Sequence, residues 1–428
     1  MGRHRGTSTR CAGCGERDDP AGYSGAAVTA GWSFRRLGDA CTIQPPKSEA
    51  RQRLKSNNLV SFVPMEALGI HRKRLGATID RTLSEVAGSY TYFADNDVLL
   101  AKITPCFENG KLGIASELTN GVGFGSSEYI VLRPSASLKA DFLYYFLLQD
   151  SFRNAGAKSM TGAAGQKRVT KTYVESQQIP VPPLREQERI VAILNDAFDG
   201  IAKARTNAST NGKNARSIFE SQLQLAFARP KELAALSELA IDITDGDHSP
   251  PPKADSGIPF ITISNILKET RRIDFSDTFM VSVDYYERLK PNRKPRQGDV
   301  LYTVTGATLG IPVQVDHETR FCFQRHIGLI RPRSGVDSCW LSYALLSPQA
   351  FRQATEGSTG AAQKTVSLSV LRNLKVPRLT ESEQLVQASR LAQLEDEMRR
   401  LVAAYSSKIR ALDALKQSLL HQAFTGKL

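Results

Sequence analysis

Cys11-Ala12-Gly13-Cys14 has the spacing of a pair of metal ligands. A structural zinc site takes about four ligands, and Cys41, Cys106, Cys322 and Cys339 form no second pair nearby. The pair is therefore not read as a zinc site. Six cysteines among 428 residues suit a reducing compartment, and the chain is expected to be cytoplasmic. Asp245-Gly246-Asp247-His248 is the one tight cluster of carboxylates with a histidine. A metal-dependent nuclease would use such a cluster. Asp and Gly also build turns, and prolines follow at 250–252, so a turn is the preferred reading. Stretches 162–167 and 360–365 come nearest to a phosphate-cradling loop, but neither has Gly-Lys at the spacing G-x-x-x-x-G-K-[ST]. The prolines at 45–46, 182–183 and 250–252 are not followed by the aromatic residue of an amino-methyltransferase motif. The six histidines form no H-x-x-x-H pair, and no hydrolytic triad is legible. The expectation is a chain with no catalytic site, holding no metal and no cofactor of its own.

The chemistry that remains is charge and hydrogen bonding. Lys and Arg number 56 against 43 Asp and Glu, a net charge of +13. Such a surplus favours a polyanion through long-range attraction and counterion release, although it serves solubility as well. Two loops set Gln beside Lys among Gly, Thr and Ala: Gln166-Lys167-Arg168 and Gln363-Lys364. Glutamine can read adenine, and Lys or Arg can read guanine or hold phosphate. Other basic candidates are Arg51, Arg53 and Lys55, then Arg72, Lys73 and Arg74, then Lys111. Arg293, Lys294 and Arg296, followed by Gln324 and Arg325, complete the set. Any one of these taken alone reads equally as a solvated surface charge.

The elements that must position these residues are written twice. Residues 31–228 and 232–428 correspond in order: Asp97-Val98-Leu99 returns as Asp299-Val300-Leu301, and Leu132-Arg133-Pro134 as Ile330-Arg331-Pro332. Phe152-Arg153 returns as Phe351-Arg352, and Thr161-Gly-Ala-Ala-Gly-Gln-Lys167 as Thr359-Gly-Ala-Ala-Gln-Lys364, one residue shorter. A loop shared by both copies cannot by itself carry two specificities. The glutamine–lysine loops are therefore either structural or general DNA contacts, and base reading falls to the divergent basic stretches. Each copy opens with about 150 residues of mixed pattern, predicting a compact α+β domain. Short β-type runs at 98–103, 128–132, 260–264, 300–305 and 326–330 alternate with helical stretches near 141–153 and 340–352. Most of the positive surplus lies in these mixed segments. Each copy closes with a long helical pattern, about 184–227 and 380–424. In the second, Leu391, Leu394, Met398, Leu401, Tyr405, Lys408, Leu412, Leu415 and Leu419 step as a heptad seam, and residues 380–383 offer a capping box. The first starts well at Ile190, Leu194, Phe198 and Ile201, but Gly and Asn at 207–214 lower helix propensity there. Two equivalent seams most simply bury each other. The expected organisation is 1–30, a disordered extension; 31–183 and 231–379, two mixed domains; 184–230 and 380–428, two spacer helices. No run of apolar residues is long enough for a membrane span, and none is expected.

The stretch Pro182-Pro183-Leu184-Arg185-Glu186-Gln187-Glu188-Arg189-Ile190-Val191 resembles the opening of the conserved helix of type I restriction specificity subunits. So do the loop 161–168, the segments 298–301 and 305–310, Phe323-Gln324-Arg325-His326-Ile327, and the ending Gln422-Ala423-Phe424-Thr425-Gly426-Lys427-Leu428. The resemblance covers residues 31–428. It implies two target-recognition domains joined by two long antiparallel coiled-coil helices, each domain reading half of a split, asymmetric double-stranded DNA site. It also implies two modification subunits that bind S-adenosylmethionine and methylate adenine. Two restriction subunits that use ATP and Mg would join them. A specificity protein acting without an active cognate system is the alternative that the sequence leaves open.

Overall fold

The computed structural model describes residues 32–428 other than His71, Ala164, Ser249, Pro250 and 361–363. The Cys11/Cys14 pair, the extension 1–30 and Gln363 lie outside the described residues. Two compact units emerge: one runs to Thr206 and includes Lys408–Leu428, and the other is Asn207–Ser407. Each holds one mixed segment and a part of each long helix.

In the first unit, Cys41–Ile43, Tyr129–Pro134, Val98–Ala101 and Leu112–Ile114 form an antiparallel sheet in that order. The run Val98-Leu99-Leu100-Ala101 is apolar throughout because both faces of this sheet are covered. Val98, Leu100, Ile130 and Leu132 face a core with Phe142, Phe146, Phe152, Ile190, Leu194 and Phe424. Leu99, Ala101, Tyr129 and Val131 face a second core with Val63, Leu68 and Phe93. That core joins a further sheet, Ile79–Thr82, Leu59–Val63, Val122–Gly125 and Thr91–Ala94.

The second unit repeats the plan. Ala240–Asp245, Ile327–Pro332, Val300–Thr303 and Pro312–Gln314 keep the same strand order. Val300, Tyr302 and Ile330 face Trp340, Leu341 and Leu391, while Leu301, Ile327 and Leu329 face Ile261, Phe321 and Phe323. The outer sheet is smaller here: Phe279–Val281, Ile258–Ile261 and Cys322–Phe323.

The single helical stretches expected near 141–153 and 340–352 are each two helices, Ala140–Leu147 with Asp150–Lys158, and Ser338–Leu346 with Pro348–Glu356. Gln149 and Ser347 are extended and cap the second helix of each pair. In the second copy Pro348 lacks the N–H that would continue the preceding helix, and it takes the first helical position instead.

The long helices are Leu184–Phe227 and Glu381–Phe424. The first is continuous through 207–214, where propensity alone suggested weakening. Its small residues there admit its partner: Ala208 and Ala215 are buried, and a Cβ built on Gly212 would lie 3.9 Å from Tyr405 Cβ. Packing outweighs the propensity cost of about 1 kcal/mol per glycine. The two helices pair antiparallel within each unit. Arg205 meets Asp413 at 3.2 Å and Lys416 lies over Phe198 in the first. Gln387 donates to the Ala226 carbonyl at 2.9 Å in the second.

The seam of the second helix is only partly as expected. Leu391, Leu394, Met398, Tyr405, Leu412 and Leu419 are buried or half-buried, but Leu401 and Leu415 are 45% and 47% exposed and Lys408 is exposed. Glu395, Val402, Ile409 and Lys416 take the alternate row. An i+3 and an i+4 neighbour lie on either side of the same row, and the partner decides between them. Arg271 and Tyr343 draw Glu395 inward, and the Phe198 ring accepts the Lys416 ammonium at 4.9 Å. Burial works to raise the Glu395 carboxyl, but the Arg271 charge, with hydrogen bonds from Arg271 and Tyr343, holds it below the usual carboxylate range.

The capping box at Thr380 forms, with Thr380 N donating to Glu383 Oε2 at 2.9 Å. A second device fixes each helix start. Gln187 is fully buried: its Oε1 accepts from Lys139 N at 2.8 Å, and its Nε2 donates to the Ser137 and Pro182 carbonyls at 2.8 Å each. Gln384 does the same with Asp337 N at 2.8 Å and the carbonyls of Leu379 at 2.9 Å and Gly335 at 3.4 Å. Replacing Gln384 by Leu orphans these backbone groups. We expect a loss of about 2 kcal/mol or more, read as a lower urea midpoint of the full chain.

Candidate nucleic-acid interface

Three loops meet at one end of the main sheet in each unit. In the first unit the strand Val98–Ala101 runs on into Lys102, whose N donates to the Glu128 carbonyl at 2.9 Å and whose carbonyl accepts from Val169 N at 2.9 Å. The glutamine–lysine loop closes on itself through Thr161 and Arg168, at 3.1 and 2.8 Å. It is then stitched to the first loop by Thr104 N donating to the Lys167 carbonyl at 2.9 Å. The second unit repeats this pattern. Val304 N donates to the His326 carbonyl at 3.0 Å, Val366 N donates to the Val304 carbonyl at 2.8 Å, and Thr359 and Thr365 close the loop at 3.0 and 2.8 Å.

The sequence candidates fall into distinct positions on this frame. Gln166 and Lys167 are exposed at the tip of the first loop, and Gln166 N closes a turn on the Ala163 carbonyl at 3.0 Å. Arg168 is not free: it pairs with Glu128 at 2.8 Å and donates to the Gln166 carbonyl at 3.0 Å. The hydrogen bond from Arg168 holds the Glu128 carboxyl below its ordinary range against the opposing effect of burial. Lys111 is half-buried at the far end of the 102–111 loop, with its N on the Cys106 carbonyl at 2.9 Å. In the second unit Lys364 is exposed, as is Arg325. Gln324 is half-buried and pairs its backbone with Ile261 and Asp247. Burial, then the nearby Arg325 charge, lowers the pKa of His326, so its imidazole is neutral at pH 7.

Arg293 and Lys294 lie elsewhere on the second unit and are engaged. Arg293 reaches Asp245 at 3.3 Å and Asp247 at 3.6 Å. Lys294 pairs with Glu287 at 2.7 Å and lies 4.8 Å over the Tyr286 ring. Arg296 is exposed, and its N is capped by Asp299 at 2.9 Å. The Asp245-Gly-Asp247-His248 cluster is thus held by protein groups: Arg293 between the two carboxylates, His248 on Asp245 at 2.8 Å, and the Tyr285 hydroxyl on Asp247. Asp247 also links the two groups of candidates, since Arg325 N donates to its carbonyl at 3.0 Å. Among the described basic candidates, Lys73 pairs with Asp141 at 2.8 Å, while Arg51, Arg53, Lys55, Arg72, Arg74, Lys111, Lys167, Arg296, Arg325 and Lys364 make no ion pair with a described residue.

Sequence reading missed Lys102, Ser127, Glu128 and His326, which share the three-loop junction. The signal was available only after aligning the copies strand by strand, because these positions differ between the copies. The repeated Asp-Val-Leu and Arg-Pro motifs prove to be a structural pair instead: Asp97 with Arg133 at 2.7 Å, and Asp299 with Arg331 at 2.8 Å.

Residues 29–209 match the family model described as Type I restriction modification DNA specificity domain. The specificity subunit of the type I restriction enzyme EcoEI from Escherichia coli is 40% identical over 167 residues, covering 38% of this chain and 27% of that protein. The chain therefore spans about a quarter of the length of that relative. Among solved structures, a chain from work on complex assembly and conformational transition of the type I R-M system matches with a TM-score of 0.76 at 22% identity. That match covers 94% of this chain and 100% of the other. The HsdS subunit from Thermoanaerobacter tengcongensis matches at 0.62 and 21% identity, covering 95% and 99%. At these identities the likeness is one of fold. No described helix is long and apolar enough to cross a membrane.

Proposed function

We propose that this chain, which matches the type I restriction DNA specificity domain over residues 29–209, is a type I restriction specificity subunit that reads a bipartite, asymmetric DNA site and recruits the subunits that act on it. The observation that carries this reading is the duplicated scaffold. The same strand order and the same three-loop junction occur in both units, while the residues around the junction differ. Two readers built alike but furnished differently suit two different half-sites. The exposed cations Lys167, Arg296, Arg325 and Lys364, which make no ion pair with a described residue, are placed, with Lys111, to meet phosphate or base edges. Arg168, Arg293 and Lys294 would first have to leave carboxylate partners.

In this reading the chain does no chemistry. Two modification subunits carry S-adenosylmethionine and methylate adenine, and two restriction subunits carry ATP and Mg. The complex works on double-stranded DNA in the cytoplasm. Purified alone, the chain should transfer no labelled methyl group from S-adenosylmethionine to DNA. With its cognate modification subunit it should direct methylation to one split sequence in a methylome. Methyl transfer by the chain alone would overturn the non-catalytic role. Methylation without sequence preference would overturn the recognition role.

A further inference from the structure

We propose that the three-loop junction divides the labour of DNA recognition: Lys167 and Lys364 each hold a backbone phosphate, while Ser127-Glu128 in one unit and Arg325-His326 in the other decide which bases are accepted. The proposal rests on the DNA-recognition reading above and assigns roles within it.

The matching backbone bonds establish which residues correspond. Lys102 N on the Glu128 carbonyl and Val304 N on the His326 carbonyl place Lys102 with Val304, and Ser127-Glu128 with Arg325-His326. The bonds closing the two loops place Arg168 with Thr365, and hence Lys167 with Lys364. One charged side chain in the junction is thus the same in both units, a lysine. It is exposed in both and makes no ion pair with a described residue in either. A group common to two readers of different sequences must meet something common to both half-sites, and the sugar–phosphate backbone is the part of DNA that does not vary. A lysine ammonium is a point charge suited to that contact.

The neighbouring positions change chemistry entirely. The first unit presents a hydroxyl and a carboxylate, with Glu128 locked by Arg168 and flanked by Lys102, whose Nζ donates to the Ser127 carbonyl at 2.8 Å. The second presents an exposed guanidinium beside an imidazole, with uncharged Val304 and Thr365 in place of Lys102 and Arg168. An arginine with no carboxylate partner can meet guanine O6 and N7 with two parallel hydrogen bonds, so the Arg325 position selects guanine. The junction is also preorganised. Thr305 and Thr365 hydroxyls meet at 3.1 Å in one unit and the Arg168–Glu128 pair braces the other, so little ordering remains on binding.

The test uses the full chain in complex with its modification subunit. The duplexes carry the site given by the methylome or a scrambled sequence of the same length. Lys167→Ala and Lys364→Ala should weaken binding to both duplexes by the same factor. Each should reduce the slope of log K against log salt by about 1. Arg325→Ala should weaken only the methylome-derived duplex, by roughly 5- to 150-fold, and relax one guanine position in the second unit's half-site. Arg325→Lys should likewise leave binding to the scrambled duplex unchanged and should not restore guanine selection. All three side chains are exposed, so folding and co-purification should be unchanged. A lysine variant that relaxes base choice, or an arginine variant that weakens both duplexes alike, overturns the division of labour. Variants that change neither affinity nor slope take the junction off the DNA. A wild-type complex with no preferred duplex instead overturns the recognition reading itself.

Discussion

Exchanging residues 31–180 for the corresponding segment of another specificity subunit is expected to replace one half of the methylated sequence and leave the other half intact. The reason is physical as well as genetic. The segment begins and ends side by side: Ser33–Arg36 pairs antiparallel with Gln178–Val181, from Ser33 opposite Val181 to Arg36 opposite Gln178. Leu233–Ala235 and Lys375–Pro377 close the other mixed segment in the same way. A segment whose two ends meet in one hydrogen-bonded pair can be replaced without rerouting the rest of the chain. What the newcomer must supply is a short set of contacts. It needs a backbone N–H and a carbonyl where Lys139 and Ser137 meet Gln187, and aromatic rings where Phe142 and Phe146 pack on Phe424. The methylome of a strain carrying the chimera measures the outcome. A change in both half-sites would mean that the two units do not read independently.

The second large effect concerns stability. Asp299→Ala should cost about 3–5 kcal/mol, because it strands Arg331 in the interior. Asp299 is 2% exposed, pairs with Arg331 at 2.8 Å and caps Arg296 N at 2.9 Å. The Arg331 guanidinium keeps hydrogen bonds only to backbone carbonyls once the carboxylate is gone. The matching change in the other unit, Asp97→Ala, should cost less. Arg133 keeps a second carboxylate, Glu49, and lies 5.8 Å from the Tyr92 ring. Urea unfolding of the full chain and of both variants checks the order. The double variant Asp299→Leu with Arg331→Met should recover much of the loss, since an apolar pair leaves no buried charge unmatched. Equal losses in the two single variants would mean that Glu49 contributes nothing to holding Arg133.

Much of the architecture was legible because its cause is local and repeated. The duplication, the runs Val98–Ala101 and Val300–Thr303, the two long helices and the Thr380 capping box all follow from residue types at short spacing. The chain also carries its own internal comparison, so a motif present in both copies could be recognised as shared. Three things depended on the tertiary structure. The phase of the helix seam was one, since Glu395 and Lys416 sit inward only because Arg271, Tyr343 and Phe198 meet them there. The continuity of the first helix through 207–214 was another, since Gly212 and the asparagines at 207, 211 and 214 are weak helix formers, and the missing side chain of Gly212 becomes useful only against Tyr405. The state of each candidate cation was the third. Sequence places Arg168, Arg293 and Lys294 on equal terms with Lys167, Arg325 and Lys364, but carboxylates up to 48 residues away in the chain claim the first three and leave the others exposed. Spacing along a chain fixes periodicity and turns, whereas the partner of a charge is set by which distant segment folds against it.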